Sequence, residues 1–216
     1  DWLSQLDNTN AQKEYYLTDI IAMAVNDNYT VHTTQPDNEY EVMGVNNRIQ
    51  LSELERYYQQ EQAKQLMTAG ITLADPSRID IRGHITHGKD IFIDVNTVIE
   101  GDVSIGNNVS IGANCVIKDT KIADNVEILP MSILDSASIG KGSKVGPFAR
   151  LRPGAVLADE THVGNFVEIK KSFIGDGSKV NHLTYIGDSL VGKKVNIGAG
   201  TITCNYDGAN KHQTII

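Results

Sequence analysis

The aliphatic residues of this chain recur every six positions, a spacing that fits neither a helix nor a plain alternating strand. Steps of six from Ile81 give His87, Ile93, Ile99, Ile105, Ile111 and Ile117. The phase then slips by one residue to Ile122, Ile128 and Leu134, and again to Ile139, Val145, Leu151, Leu157, Val163 and Ile169. Two more slips give Ile174, Val180 and Ile186, then Val191, Ile197 and Thr203. Of these 22 positions, only His87 and Thr203 are not Ile, Leu or Val. Gly often follows the aliphatic residue, as in Ile105-Gly106 and Val163-Gly164. The fifth residue of a unit is usually small or β-branched: Val109, Cys115, Val126, Ser143, Ala149, Ala155, Val167, Ser178, Thr184, Thr201. This pattern predicts a parallel β-solenoid with one short strand and one turn per hexad. The aliphatic and the fifth residue should point inward, with Gly serving corners of unusual φ/ψ.

The hexads resemble those of the left-handed β-helix, whose triangular coil uses three units. The hand is implied by that resemblance, since left-handed parallel crossovers run against the usual chirality. Twenty-one complete hexads, three to a coil, predict seven coils.

The first 47 residues lack the period. Thr18-Asp19 before Ile20–Val25 predicts a capped short helix. Tyr29–Thr33 and Glu41–Met43 predict strands, the latter ending at Gly44. Helix alternating with strand suggests the C-terminal remnant of an α/β domain. Residues 48–69 predict one long helix, with Leu51, Leu54, Tyr58 and Leu66-Met67 as its apolar stripe and Gly70 as its stop. Asp75-Pro76 marks entry to the solenoid. The expected domains are therefore 1–47, a linker with the helix over 48–75, and the solenoid over 76–216.

Net charge is −8, which weighs against nucleic acid as a partner. The longest apolar runs fall short of the 18 residues a membrane span needs, so no membrane insertion is expected. Two cysteines without a spacing motif suit a reducing cytoplasm. The chain starts at Asp1 without a Met, and Ile216 reads as the first residue of a new hexad. Both ends are expected to be interior to a longer protein.

Solenoid arithmetic brings out candidate chemistry. Residues three hexads apart should stack on successive coils, about 4.8 Å apart. Leu151 and Ile169 are such a pair, so Arg152 and Lys170 should stack too. Two cations at that distance repel, and a phosphate held between them would reverse the balance. His182, third in its hexad, faces outward near a corner and is a candidate general base. Cys204-Asn205-Tyr206-Asp207-Gly208-Ala209-Asn210-Lys211-His212-Gln213 interrupts the hexads before Thr214, and such an insertion is where function usually sits. Histidine positions 84, 87, 162 and 182 do not form a zinc triad.

Four stretches carry a more specific resemblance: Phe148–Gly154, Val163–Lys171, His182–Asp188 and Asn196–Gly208. They are similar to the bacterial family that joins glucosamine-1-phosphate acetyltransferase to N-acetylglucosamine-1-phosphate uridylyltransferase. Gly44-Val45-Asn46-Asn47-Arg48 resembles the end of that family's uridylyltransferase domain. The resemblance implies a homotrimer that acetylates the amine of glucosamine 1-phosphate from acetyl-CoA, on the way to UDP-N-acetylglucosamine for peptidoglycan and lipopolysaccharide. It implies His182 as the base, with Arg152, Lys170, Tyr185, Asn196 and Lys211 on the sugar phosphate. Ala199, Asn205 and Tyr206 resemble acetyl-CoA contacts. Asn46 resembles the residue that completes the Mg2+ site of the uridylyltransferase half. The nucleotide loop, Lys and metal Asp of that half have no counterpart here, so uridylyl transfer is expected to be lost. The acetyl-CoA site is expected to be partial, since the family's last coils and C-terminal arm are missing as well. The competing expectation is a catalytically silent trimeric scaffold.

Overall fold

The computed structural model describes residues 2–216, and they form two compact units that divide between Asn46 and Asn47.

The first unit carries helix α1 (Asp19–Asn26) and two single 3-10 turns, Trp2–Gln5 and Glu39–Glu41. The expected helix is there, but the hydroxyl of Thr18 makes no cap bond. Neither expected strand forms: residues 29–33 are irregular and 39–41 are a 3-10 turn. A strand is stable only when its backbone has a neighbour to pair with, and these β-prone residues have none within the unit.

In the second unit, helix α2 (Arg48–Thr68) starts at Asn47, whose side chain accepts from the amides of Ile49 and Gln50. It stops before Gly70, which takes φ +97 as a left-handed terminator. The apolar stripe expected for it is mostly wrong. Leu51 and Tyr58 are 55% and 59% exposed, while Gln59, Ala63 and Leu66 are the buried face. The reason lies in Gln59. Its Nε2 donates to the Ile81 carbonyl at 2.8 Å, and its Oε1 accepts from the Ile81 amide at 2.7 Å. Ile81 lies on the first strand of its face of the solenoid, Ile79–His87, which pairs only with Thr97–Ile105 and leaves its outer edge without a strand. One glutamine therefore does for that edge what the next strand does elsewhere.

The rest is the expected mainly β architecture, a parallel solenoid of about seven turns that fits the left-handed β-helix class. Its register defines three faces. On face I, Ile81, Ile99, Ile117, Leu134, Leu151, Ile169 and Ile186 stack in sequence. Face II stacks His87, Ile105, Ile122, Ile139, Leu157, Ile174 and Val191. Face III begins earlier than the sequence suggested, at Leu73, and continues through Ile93, Ile111, Ile128, Val145, Val163, Val180 and Ile197. All 20 aliphatic positions of the period are buried. The four slips share one corner, between faces I and II, where five-residue steps replace six. Positive φ angles at Gly101, Asp119, Ser136, Gly154, Lys171 and Asp188 make that turn.

Thr203, the polar exception to the period, is also buried. Its hydroxyl accepts from the Gly187 amide at 2.8 Å. That amide sits where Arg152 on the preceding coils bonds a main-chain carbonyl, that of Ile169. The threonine thus ends face I while keeping its last amide satisfied.

Candidate active site

Face I carries the chemistry. The residues flanking its inward column project outward, so pairing of Leu151 with Ile169 and of Ile169 with Ile186 stacks Arg152, Lys170 and Gly187. The residues just before form a second column, Arg150, Glu168, Tyr185 and Ile202. Gly187 has a reason to be glycine. A Cβ there would overlap the Tyr185 hydroxyl, so the ring lies across the space a side chain would take.

The stacking of Arg152 over Lys170 is as expected, but the electrostatic reason given for it needs correcting. Arg152 Nη1 lies 2.8 Å from Glu168 Oε1, and Arg150 reaches the same carboxylate at 3.9 Å. Glu168 is the main cause that raises the Arg152 pKa. The two stacked cations therefore do not face each other unrelieved. The column of Arg152 and Lys170 alone does not include this carboxylate, which lies two residues before Lys170 on the neighbouring column.

His182 sits on the strand Lys179–Gly187, at the corner between faces III and I, and is exposed. Its Nδ1 is 2.9 Å from Asn165 Oδ1, its register partner on the coil before. With the ring proton assigned to Nδ1, which donates to that oxygen, Nε2 carries the free lone pair. Asn165 was not singled out from the sequence. Its signal was the same arithmetic that paired Arg152 with Lys170, applied to His182 and the residue 17 before it. Another histidine, His162, lies on face III between Lys144 and Lys179. Burial, then those two lysines, push its pKa down, which favours the neutral ring.

On the other edge of face I the inserted loop leaves the solenoid. Leu190 pairs with Ile215, 25 residues on, where 17 or 18 separate the neighbours of the coils before it from Ile79 onward. The excess forms a small hairpin closed by an antiparallel bridge between Tyr206 and Lys211. Asp207 accepts from the amides of Ala209 and Asn210 and pairs with His212 Nε2 at 2.7 Å. These bonds hold its carboxyl down at about 2. Asn205 is buried and donates Nδ2 to Asp188 at 2.6 Å. Tyr206 and Lys211 are exposed, as is Ala199.

The structure thus brings Arg152, Lys170 and Tyr185 onto one face, with His182 on one edge and the loop of Asn205, Tyr206 and Lys211 on the other. Asn196 lies around the corner on face III, stacked on Lys179. Asn46 belongs to the first unit. Among the described residues there is no group of three or more His, Cys, Asp or Glu that could hold a metal. Cys204, exposed beside the site, has its thiol directed to the Ile202 carbonyl at 3.9 Å.

A family model described as the GMPPB C-terminal domain matches residues 81–167. Among solved structures, the UDP-N-acetylglucosamine O-acyltransferase LpxA of Moraxella catarrhalis is 20% identical, with a TM-score of 0.42 over 59% of this chain and 63% of that one. A UDP-N-acetylglucosamine acyltransferase of Campylobacter jejuni is 19% identical, with a TM-score of 0.35 over 58% and 64%. Curated relatives are much nearer in sequence. The "Bifunctional protein GlmU" of Marinobacter nauticus is 61% identical over 215 residues, 100% of this chain and 47% of that protein. The protein of the same name from Chromobacterium violaceum is 57% identical over 216 residues, 100% of this chain and 48% of its own length. The chain spans about half the length of these relatives, and over all of its own length it is a homologue of bifunctional GlmU proteins.

Proposed function

We propose that this chain transfers the acetyl group of acetyl-CoA to the amine of glucosamine 1-phosphate, giving N-acetylglucosamine 1-phosphate. The observation that carries the reading is His182. Its Nδ1 is engaged by Asn165, which leaves Nε2 as a proton acceptor at the edge of a face bearing Arg152, Lys170 and Tyr185. In this reading Arg152 and Lys170 hold the phosphate, with Tyr185, Asn196 and Lys211 as further sugar-phosphate contacts. The amine nitrogen attacks the thioester carbonyl, and Nε2 takes the proton that the nitrogen must lose. The C–S bond then breaks, and the proton passes to the departing thiolate to give free CoA. Ala199, Asn205 and Tyr206 line the acetyl-CoA side. Direct attack requires one base and no protein nucleophile, in keeping with an exposed Cys204 that bonds only a carbonyl.

The domains we assign are 1–47 as the end of a uridylyltransferase domain, 48–75 as a linker, and 76–216 as the acetyltransferase solenoid. In the longer protein, UMP transfer from UTP with Mg2+ would fall to the first of these, with Asn46 as one contributor. No helix among the described residues is long and apolar enough to cross a membrane. A cytoplasmic protein is the reading that fits its substrates.

We also assign it as a homotrimer. The corner between faces III and I carries Asn96 and Asn114 in its early coils, at φ 59 each, a residue type that tolerates this conformation. The same corner then holds Met131, Phe148, Phe166 and Leu183, all at positive φ and 47–64% exposed. Bulky residues cost roughly 1–2 kcal/mol each there. Phe148 and Phe166 stack with centroids 5.2 Å apart. A strained, exposed apolar ladder beside His182 is explained by neighbouring copies that cover it.

The test is release of CoA thiol by the full-length protein with glucosamine 1-phosphate, glucosamine or N-acetylglucosamine 1-phosphate as acceptor. Release with the first alone is expected. Equal release with all three, or none with any, would refute the reading. Calorimetry separates the alternative of a silent scaffold, which would bind glucosamine 1-phosphate and not acetyl-CoA.

A further inference from the structure

Asp188 is a buried carboxylate for which the acetyl-transfer mechanism has no use. It is 9% exposed and sits at φ +47 on the corner between faces I and II, where the inserted loop leaves the solenoid. Its Oδ2 accepts from Asn205 Nδ2 at 2.6 Å, and that bond is buried. Its main-chain carbonyl accepts from the Thr214 amide at 3.2 Å. Asn205 is the second residue of the insertion, and Thr214 is the first residue after it. Asn205 is held in turn to the far strand of the hairpin, since its carbonyl accepts from the His212 amide at 2.8 Å. Thr203 before the loop is held by Tyr185 and Gly187, and Thr214–Ile215 after it pair with Ser189–Leu190, while the loop's own Asn205 is tied to the coil by Asp188. Lys171, from the coil before, approaches the same carboxylate at 3.6 Å but is 73% exposed. That pair contributes little in water. A small cleft of about 190 Å³ lined by Lys171, Asp188, Lys211, His212 and Gln213 lies over the contact.

We infer that Asp188 is a positioning residue: its carboxylate clamps the inserted loop at Asn205 and so sets where Tyr206 and Lys211 stand relative to face I. The inference rests on the acetyl-transfer reading for its kinetic half and on the structure alone for its mechanical half. A buried bond to a charged acceptor is far stronger than an exposed one. Its loss would free the hairpin, whose remaining bonds to Asp207 are internal and exposed, to swing about its root. An uncharged acceptor should hold the loop more weakly than the carboxylate does. An asparagine at 188 keeps an acceptor oxygen and tolerates the left-handed backbone. A serine keeps the corner, since Ser136 occupies the same turn at φ 49, but its hydroxyl is too short to reach Asn205.

The experiment compares Asp188→Asn and Asp188→Ser in the full-length protein by amide hydrogen exchange of residues 205–213 and by acetyl-transfer kinetics. Asp188→Ser should speed exchange of the loop amides about 10- to 100-fold, the factor expected for one charge-assisted bond. It should raise KM for acetyl-CoA while changing kcat by less than about threefold. Asp188→Asn, which keeps the acceptor oxygen and loses the charge, should fall between wild type and Asp188→Ser in both. Asn205→Ala should speed loop exchange as much as Asp188→Ser, and the double variant no further, because both remove the same contact. Unchanged loop exchange in Asp188→Ser overturns the clamp. A loosened loop with unchanged KM overturns the positioning role. Wild-type protein that transfers no acetyl group refutes the functional reading instead, and the exchange data still decide the clamp.

Discussion

Gln59 should be worth more to this fold than any other polar residue of α2. Replacing it with leucine keeps the volume and removes both of its bonds to Ile81. Gln59 is 3% exposed and Ile81 4%, so water cannot replace the lost partners without opening the helix–coil contact. Each buried backbone group left unpaired costs about 1–3 kcal/mol. The leucine regains part of this by burying apolar surface, so a net loss of about 2–4 kcal/mol is expected. For a unit of this size that lowers Tm by about 5–15 °C. The matched control is Gln62→Leu, on the same helix. Gln62 reaches the same carbonyl only at 3.4 Å and is half-buried, so its loss should cost under about 1 kcal/mol. A solenoid unravels from its ends, so the damage should appear first as faster amide exchange in 79–87. Acetyl transfer, sited from Arg152 onward, should be untouched well below Tm. The assay is thermal unfolding by circular dichroism with exchange mass spectrometry. Equal Tm for Gln59→Leu and wild type would show that this edge is satisfied by other means.

The remaining predictions concern the site. His182→Ala should lower kcat by about 10²–10⁴, the usual contribution of a general base, with little change in KM for glucosamine 1-phosphate; stopped assays at saturating acetyl-CoA across pH 6–9 check it. Arg152→Ala should do the opposite, raising that KM by about 10- to 100-fold for the loss of a charge-assisted bond while kcat is largely kept. Gly187→Ala places a Cβ against the Tyr185 hydroxyl. It should cost about 1–3 kcal/mol of strain or turn the ring off face I, seen as a lower Tm or a higher KM for the sugar phosphate. The loop hairpin should also be acid-sensitive. The Asp207 carboxyl is held at about 2, below its ordinary 3.8, so its contribution to loop order is complete above pH 3.8 and is lost as pH falls through about 2. Proton NMR of the loop amides should follow that window, and Asp207→Asn should abolish it.

The period of six made the solenoid legible because it is a covalent regularity: one inward aliphatic per strand forces the same chain path whatever fills the corners. It equally fixed which outward residues stack, and so Arg152 over Lys170 could be named before any coordinates. What stayed hidden were contacts set by side-chain reach rather than by register. Glu168 reaches diagonally to Arg152, and Gln59 crosses from a helix 22 residues before its partner. The failed stripe on α2 shows the same limit from the other side. A leucine at helical spacing predicts burial only if something apolar faces it, and here what faced the helix was an unpaired strand edge that required an amide. The strands expected near Tyr29 and Val42 failed for want of a neighbour, since β-prone sequence specifies only half of a ladder. Periodicity therefore locates the scaffold and the columns of the site. The residues that hold His182, Arg152 and the loop in place are found only once the coils are laid one on another.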